Sequence, residues 1–222
     1  MSLKKYFAAT ALLLITSLHA TAGVPGNDCL AEGRELYREL NYHDALTSFC
    51  DAAKDGNLEA MYLIGTMYRE GKGVKASETE AAYWFRKAGR NGYADAQYEI
   101  GRCFDLGKGV LRDTRVASEW YWRAAQQKQP YACYELAVCY RDGKGMKKDA
   151  DKAYLYMKIA ADAGLPQAVS ELSHMPVPRK AKAAAKHGKA AKADKGGKTG
   201  KTDKAHKSGR KGKSTHRSKG RR

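Results

Sequence analysis

No apolar run in the chain is longer than Phe7 to Leu18, which falls short of the roughly 20 apolar residues that a membrane-spanning helix needs. A spanning segment is therefore not expected. Cysteine is scarce and poorly spaced for chemistry: Cys29, Cys50, Cys103, Cys133 and Cys139 contain no CxxC pair, so neither a dithiol redox motif nor a zinc knuckle has support. His43 and His174 are the only histidines between residues 20 and 178; no His, Asp and Ser set suggests a triad, and no HExxH suggests a metal site. The S-x-x-K and K-T-G strings of acylating serine enzymes occur in three places only. Ser2 to Lys5 lies at the extreme N-terminus, while Ser208 to Lys211 and Lys198-Thr199-Gly200 lie in a low-complexity stretch with no rigid frame to position a nucleophile. These absences argue against an enzyme, and no cofactor or metal is expected.

Acidic residues are nearly missing from the end of the chain. Arg179 to Arg222 carries 18 Lys or Arg against Asp194 and Asp203, which accounts for nearly all of the formal net charge of +17 and leaves residues 23–178 close to neutral. A cation recurs at every third position: Lys186, Lys189, Lys192, Lys195, Lys198, Lys201, Lys204, Lys207, Arg210 and Lys213. With almost no apolar side chains this segment cannot offset the entropy of ordering, so 179–222 is expected to be a disordered basic tail. It would bind polyanions by releasing their counterions, or serve only as a solubilising appendage.

At the other end, Lys4 and Lys5 precede the apolar run, and Ala20-Thr21-Ala22 places small residues where an export peptidase reads them. Residues 1–22 are therefore expected to be a cleaved signal peptide, with no following Cys to accept lipid. The mature protein would be periplasmic or secreted, where disulfides can persist, although an odd number of cysteines leaves one thiol unpaired. Export also makes anionic lipid, lipopolysaccharide or another envelope polymer the expected partner of the tail ahead of nucleic acid.

The middle of the chain repeats every 36 residues. Ala60, Ala96, Ala132 and Ala168 are in step, as are Tyr62, Tyr98 and Tyr134, and three Gly-Lys-Gly triplets at 71–73, 107–109 and 143–145. Within each unit apolar residues fall at i, i+3, i+4, i+7, as in Met61, Ile64, Gly65 and Tyr68, before a glycine stop suited to left-handed backbone. A second helical stripe follows, as in Ala81, Trp84, Phe85 and Ala88, and closes near Asn91-Gly92. Each unit thus reads as an antiparallel helix hairpin that must stack on its neighbours to bury its stripe. Gly65, Gly101 and Ala137 are expected to admit Ala81, Ala117 and Ala153 of the paired helix. The units are 60–95, 96–131 and 132–167. Residues 23–59 read as a divergent first hairpin, and 168–178 as a capping helix, from Val169 to His174, closed by a Pro linker.

The pattern AxxYxxGxxYxxGxGV followed by AxxW[FY]xxAxxGxxxA resembles the Sel1-like repeat, a relative of the tetratricopeptide repeat. The resemblance covers residues 60 to 168 and implies an all-α, right-handed superhelical solenoid that uses its concave face, lined by first helices, to grip a peptide or protein. Carried over by position, that face holds Tyr62 and Arg69 in the first unit, Tyr98, Arg102 and Asp105 in the second, and Tyr134 and Arg141 in the third. Tyrosines flanked by arginines suit a binding groove, yet a repeated Tyr also suits packing between hairpins. The loop lysines Lys72, Lys108 and Lys144 read as anion contacts or, more simply, as solvated residues between structural glycines. Trp122, where the other units have Arg86 and Lys158, is either a surface anchor or a packing variant. A Cys29–Cys50 disulfide would staple the first hairpin, a Cys103–Cys133 bridge is a further option, and the cysteine layout departs from that of cysteine-rich relatives. The function expected is a monomeric, non-enzymatic exported adaptor. The alternatives are a cell-wall enzyme of the penicillin-binding or β-lactamase kind reported for some relatives, and a nucleic-acid binder.

Overall fold

The computed structural model describes residues 25–178, which form helices without strands. In chain order these are α1 (Pro25–Arg38), α2 (Tyr42–Lys54), α3 (Leu58–Glu70), α4 (Glu78–Arg90), α5 (Ala94–Leu106), α6 (Thr114–Gln126), α7 (Pro130–Asp142), α8 (Ala150–Asp162) and α9 (Pro166–His174). They pair as four antiparallel hairpins, α1–α2 to α7–α8, closed by α9. His43 lies in the first turn of α2, not in the turn before it.

Local chemistry sets the ends. Asn57, Ser77, Gln129 and Asp149 accept hydrogen bonds from backbone N–H groups of the helices they precede, and Asp113 does so from two. Pro130 and Pro166 stand in first turns, where their missing N–H costs nothing. The first glycine of each triplet, Gly71, Gly107 or Gly143, ends its helix with φ of 69°, 71° or 77°. The second glycine has another task. A Cβ on Gly109 would overlap the carbonyl of Glu78 at the start of α4, and Gly73 and Gly145 press in the same way on Tyr42 and Thr114. The Gly-x-Gly loop is therefore the seat on which one hairpin rests against the second helix of the hairpin before it.

Inside each hairpin a ring fills a notch. A Cβ on Gly65 would stand 2.7 Å from Phe85, and one on Gly101 2.7 Å from Tyr121. The partners of these small residues are thus mainly the aromatic rings, with the Ala117 carbonyl behind at 3.4 Å, and not the alanine side chains expected from the repeat. Gly33 and Phe49 repeat the arrangement in the first hairpin, 2.6 Å apart on the same construction. In the last hairpin the notch is shallower, with Ala137, and its filler is Met157; both are wholly buried in one cluster. Phe49, Phe85, Tyr121 and Met157 are among the largest fully enclosed side chains.

The hairpins therefore stack as modules, with three apolar clusters running along the stack. Each cluster draws on more than one hairpin: Ala88 and Ala96 pack with the cluster around Phe49 and Ile64, and Ala117 and Tyr121 with that around Leu136 and Met157.

Candidate functional site

Helices α3, α5 and α7 carry the residues expected to form the binding face. Salt bridges link three neighbouring pairs among the odd-numbered helices α1 to α9. Arg34 of α1 pairs with Glu59 of α3, Arg69 of α3 with Glu99 of α5 at 2.7 Å, and Arg141 of α7 with Glu171 of α9 at 2.6 Å. Arg102 also reaches Glu99, at 3.2 Å, and its guanidinium lies 5.7 Å from the centre of the Tyr98 ring. Arg69 and Arg102 are thus held against one carboxylate.

The tyrosines pack and line at once. Tyr62 lies against Phe85 and Tyr93, with ring centres 5.8 and 5.5 Å apart, and Tyr98 against Tyr121 and Tyr131 at 6.0 and 5.7 Å. The Tyr98–Tyr131 pair is stacked, with 28° between planes, and Tyr131 keeps 51% of its surface exposed. Burial pushes the Tyr98 hydroxyl up to about 12 and raises that of Tyr62, so both are neutral hydrogen-bond donors at physiological pH. These rings floor a cavity of about 370 Å³ that Asp95, Glu99 and Arg102 edge with charge. Gln129 closes it by donating to Asp95 across 3.2 Å.

The structure divides the expected residues. Tyr62, Tyr98 and Arg102 meet at this cavity. Tyr134 and Arg141 are engaged elsewhere: both donate to Glu171, at 2.6 Å each, and tie α9 to α7. The bond to Glu171 pushes the Tyr134 hydroxyl up to about 12, and the Asp142 carboxylate, 2.9 Å from Arg141, is held below its ordinary range by that guanidinium. Arg69 acts as a strut to Glu99, and Asp105 stands toward the C-terminal end of α5. Trp122 is exposed on α6 beside a hollow of about 410 Å³ shared with Glu119, Arg123 and Met146. Lysines 186 to 213, with Arg210, lie outside the described residues, as does the expected signal peptide.

Two loop lysines, of which Lys108 stays exposed, also contact the preceding repeat. Lys72 donates to the Tyr37 hydroxyl at 2.7 Å, pairs with Glu70 and sits over the rings of Tyr37 and Tyr42, and Lys108 pairs with Glu78. Each ties a repeat to the one before. Glu99 and Gln129 escaped the sequence reading, although a 36-residue step links Glu99, Glu135 and Glu171 as regularly as it links the tyrosines.

Chemically this face can hold a ligand by stacking and charge. All five cysteines are free thiols, Cys29 and Cys50 partly exposed on α1 and α2 beside one apolar cluster. Burial pushes Cys103 and Cys133 up to about 11 and Cys139 up to about 12, which keeps them protonated and unreactive at neutral pH. Among the described residues no group of three His, Cys, Asp or Glu is placed to hold a metal ion, and no helix is long and apolar enough to cross a membrane.

Comparison with known proteins agrees with this architecture. The family model described as Sel1 repeat matches residues 58–93, 94–128 and 130–165. A Sel1 repeat protein from Oxalobacter formigenes is 29% identical with a TM-score of 0.62, over 64% of this chain and 59% of that one. A protective antigen of uropathogenic Escherichia coli strains, c5321, which displays an SLR fold, is 30% identical with a TM-score of 0.62, over 66% of this chain and 33% of its own. The chain thus spans less than two thirds of the length of either. No curated protein matches it. Residues 58–165 thus carry three Sel1 repeats, and the described residues have the all-α solenoid fold of Sel1 repeat proteins.

Proposed function

We propose that the protein is an exported adaptor: the face formed by α3, α5 and α7 holds a segment of a partner protein, while the Lys-rich tail holds an anionic envelope polymer or lipid. Sel1 repeats are typically non-enzymatic scaffolds for protein contacts, which supports the first half. The observation that carries it is the aromatic-floored cavity of about 370 Å³, where Tyr131 stays half exposed although it stacks on Tyr98. Rigid aromatic rings beside anchored charges offer large contact area at low entropic cost. The small-residue site at Ala20 to Ala22 and the cation at every third tail position support the second half. Two weak attachments on one chain raise the local concentration of whatever the groove receives.

Photo-cross-linking tests both halves. The full chain is produced in a Gram-negative host with a benzophenone amino acid in place of Tyr131, or of Tyr83, an exposed tyrosine of the second helix α4. Position 131 should yield discrete protein adducts in envelope fractions and position 83 none, and a chain ending at residue 178 should wash off those fractions at lower salt. Equal adducts from both positions would overturn the groove; equal retention without the tail would overturn its role.

A further inference from the structure

The salt-bridge ladder along the odd-numbered helices has a missing rung. The 36-residue step places Arg69, Asp105 and Arg141 in register near the ends of α3, α5 and α7, and Glu99, Glu135 and Glu171 in register on the helices that follow. In the first and third of these rungs a guanidinium meets a carboxylate, at 2.7 and 2.6 Å. In the second, Asp105 stands where the arginine should be, so two carboxylates share the position. Burial and then Asp105 push the Glu135 carboxyl above its ordinary value, with Lys144 and Arg102 acting against them. Neither cation closes the gap. Arg102 is bonded to Glu99, no ion pair joins Lys144 to either acid among the described residues, and the remaining neighbour, Arg112, spends its Nε on the backbone carbonyl of Asp105 at 2.8 Å.

A second departure from the repeat lies at the same place. Where the other units carry Glu70 and Asp142, the second has Leu106, 54% exposed, and where they carry Lys75 and Lys147 it has Leu111, 91% exposed. Arg112, next to Leu111, folds the loop back onto the end of α5 through the Asp105 carbonyl and packs beside Gly107. One repeat has thus exchanged charge for apolar surface beside an unpaired acidic position, an exchange that costs solubility and stability unless something covers it. The flanking rungs show what this geometry takes, since the equivalent Glu99 and Glu171 each hold a guanidinium.

We propose that the Asp105–Glu135 rung with Leu106 and Leu111 is the specificity point of the groove, taking an arginine side chain of a partner segment that has apolar residues beside that arginine. The inference rests on the groove reading above and names the partner's chemistry. An incoming guanidinium completes the ladder with two carboxylates, the planar fork suiting them better than an ammonium, and the leucines cover its apolar neighbours.

The test uses ¹⁵N-labelled mature full-length protein titrated with acetyl-Leu-Arg-Leu-amide and, as control, acetyl-Leu-Gln-Leu-amide, followed by amide shifts. The arginine peptide should shift residues 102–112 and 131–138 and bind at least tenfold more tightly than the glutamine peptide. Asp105→Arg should supply the missing partner of Glu135 within the chain, raise the melting temperature and reduce arginine-peptide binding at least tenfold. Asp105→Asn should reduce binding without that rise and replaces the arginine variant if the latter misfolds. Equal binding of the two peptides, or undiminished binding to the variants, would overturn the proposal. If that happens while position 131 still cross-links specifically, the groove stands and only its arginine preference falls.

Discussion

Gly109 shows how much can rest on one hydrogen atom. Its φ of 68° would strain any other residue, and its Cα faces the Glu78 carbonyl so closely that a methyl group could enter only if two hairpins moved apart. Gly92 is a natural control: its φ is 97°, yet nothing lies within 4 Å of where its Cβ would stand. Gly92→Ala should cost about 1 kcal/mol through backbone strain alone, and Gly109→Ala on the order of 2–4 kcal/mol. Urea unfolding of the two variants measures the difference, and equal losses would mean that the seat between hairpins yields freely. The glycine spacing was visible in the sequence, as was the left-handed stop at Gly107. That Gly109 faces the preceding hairpin was not, because Glu78 approaches it only once the modules stack.

Among the elements, α9 depends most on side-chain bonds. It has nine residues and buries only Ala168 fully, whereas Val169 is 52% exposed. Tyr134 and Arg141 hold it through Glu171, and these side chains remain partly in water, so the ion pair contributes less than about 1 kcal/mol. Glu171→Ala should therefore leave the global unfolding midpoint almost unchanged while speeding amide exchange in Pro166–His174 several-fold, with α3 unaffected. Slower or unchanged exchange would show that packing against α8 alone fixes the helix. The helix itself was legible up to its end, since Pro176 and Pro178 forbid continuation, but it begins at Pro166, before the expected Val169. Its tie to Tyr134 was hidden, because 37 residues separate the partners and only the stacking offset of α7 and α9 brings them together.

At the scale of the whole molecule, buried neutral acids set the response to alkali. Burial holds the Cys103 and Cys133 thiols up to about 11, Cys139 up to about 12 and the Tyr98 hydroxyl up to about 12, and it raises Tyr121 as well. In the unfolded chain thiols ionise near 9 and phenols near 10, so these groups release protons on unfolding in alkali. Their contribution to stability is complete below about pH 8 and is lost as pH rises toward 12, because the native state must then keep neutral what the unfolded state can ionise. Melting temperatures measured from pH 7 to 11 should fall progressively above pH 9, and substituting Cys103, Cys133 and Cys139 together by Ala should flatten part of that fall. A profile unchanged by the substitution would show that the thiols are not the titrating groups.

By itself the sequence determined the number of hairpins, the ends of most helices and the near-neutral body with its basic tail. These depend on periodicity, capping and composition, all of which act over a few residues or are plain sums of charge. The tertiary structure decided which repeated side chains line a surface and which brace it: Tyr98 serves the cavity, its counterpart Tyr134 anchors a helix, and Asp105 interrupts a ladder that Arg69 and Arg141 complete. The physical reason is that a residue's position within a repeat is local, whereas the side chain it meets is set by how far each hairpin slides along the next when the second glycine of its Gly-x-Gly loop settles against the preceding helix.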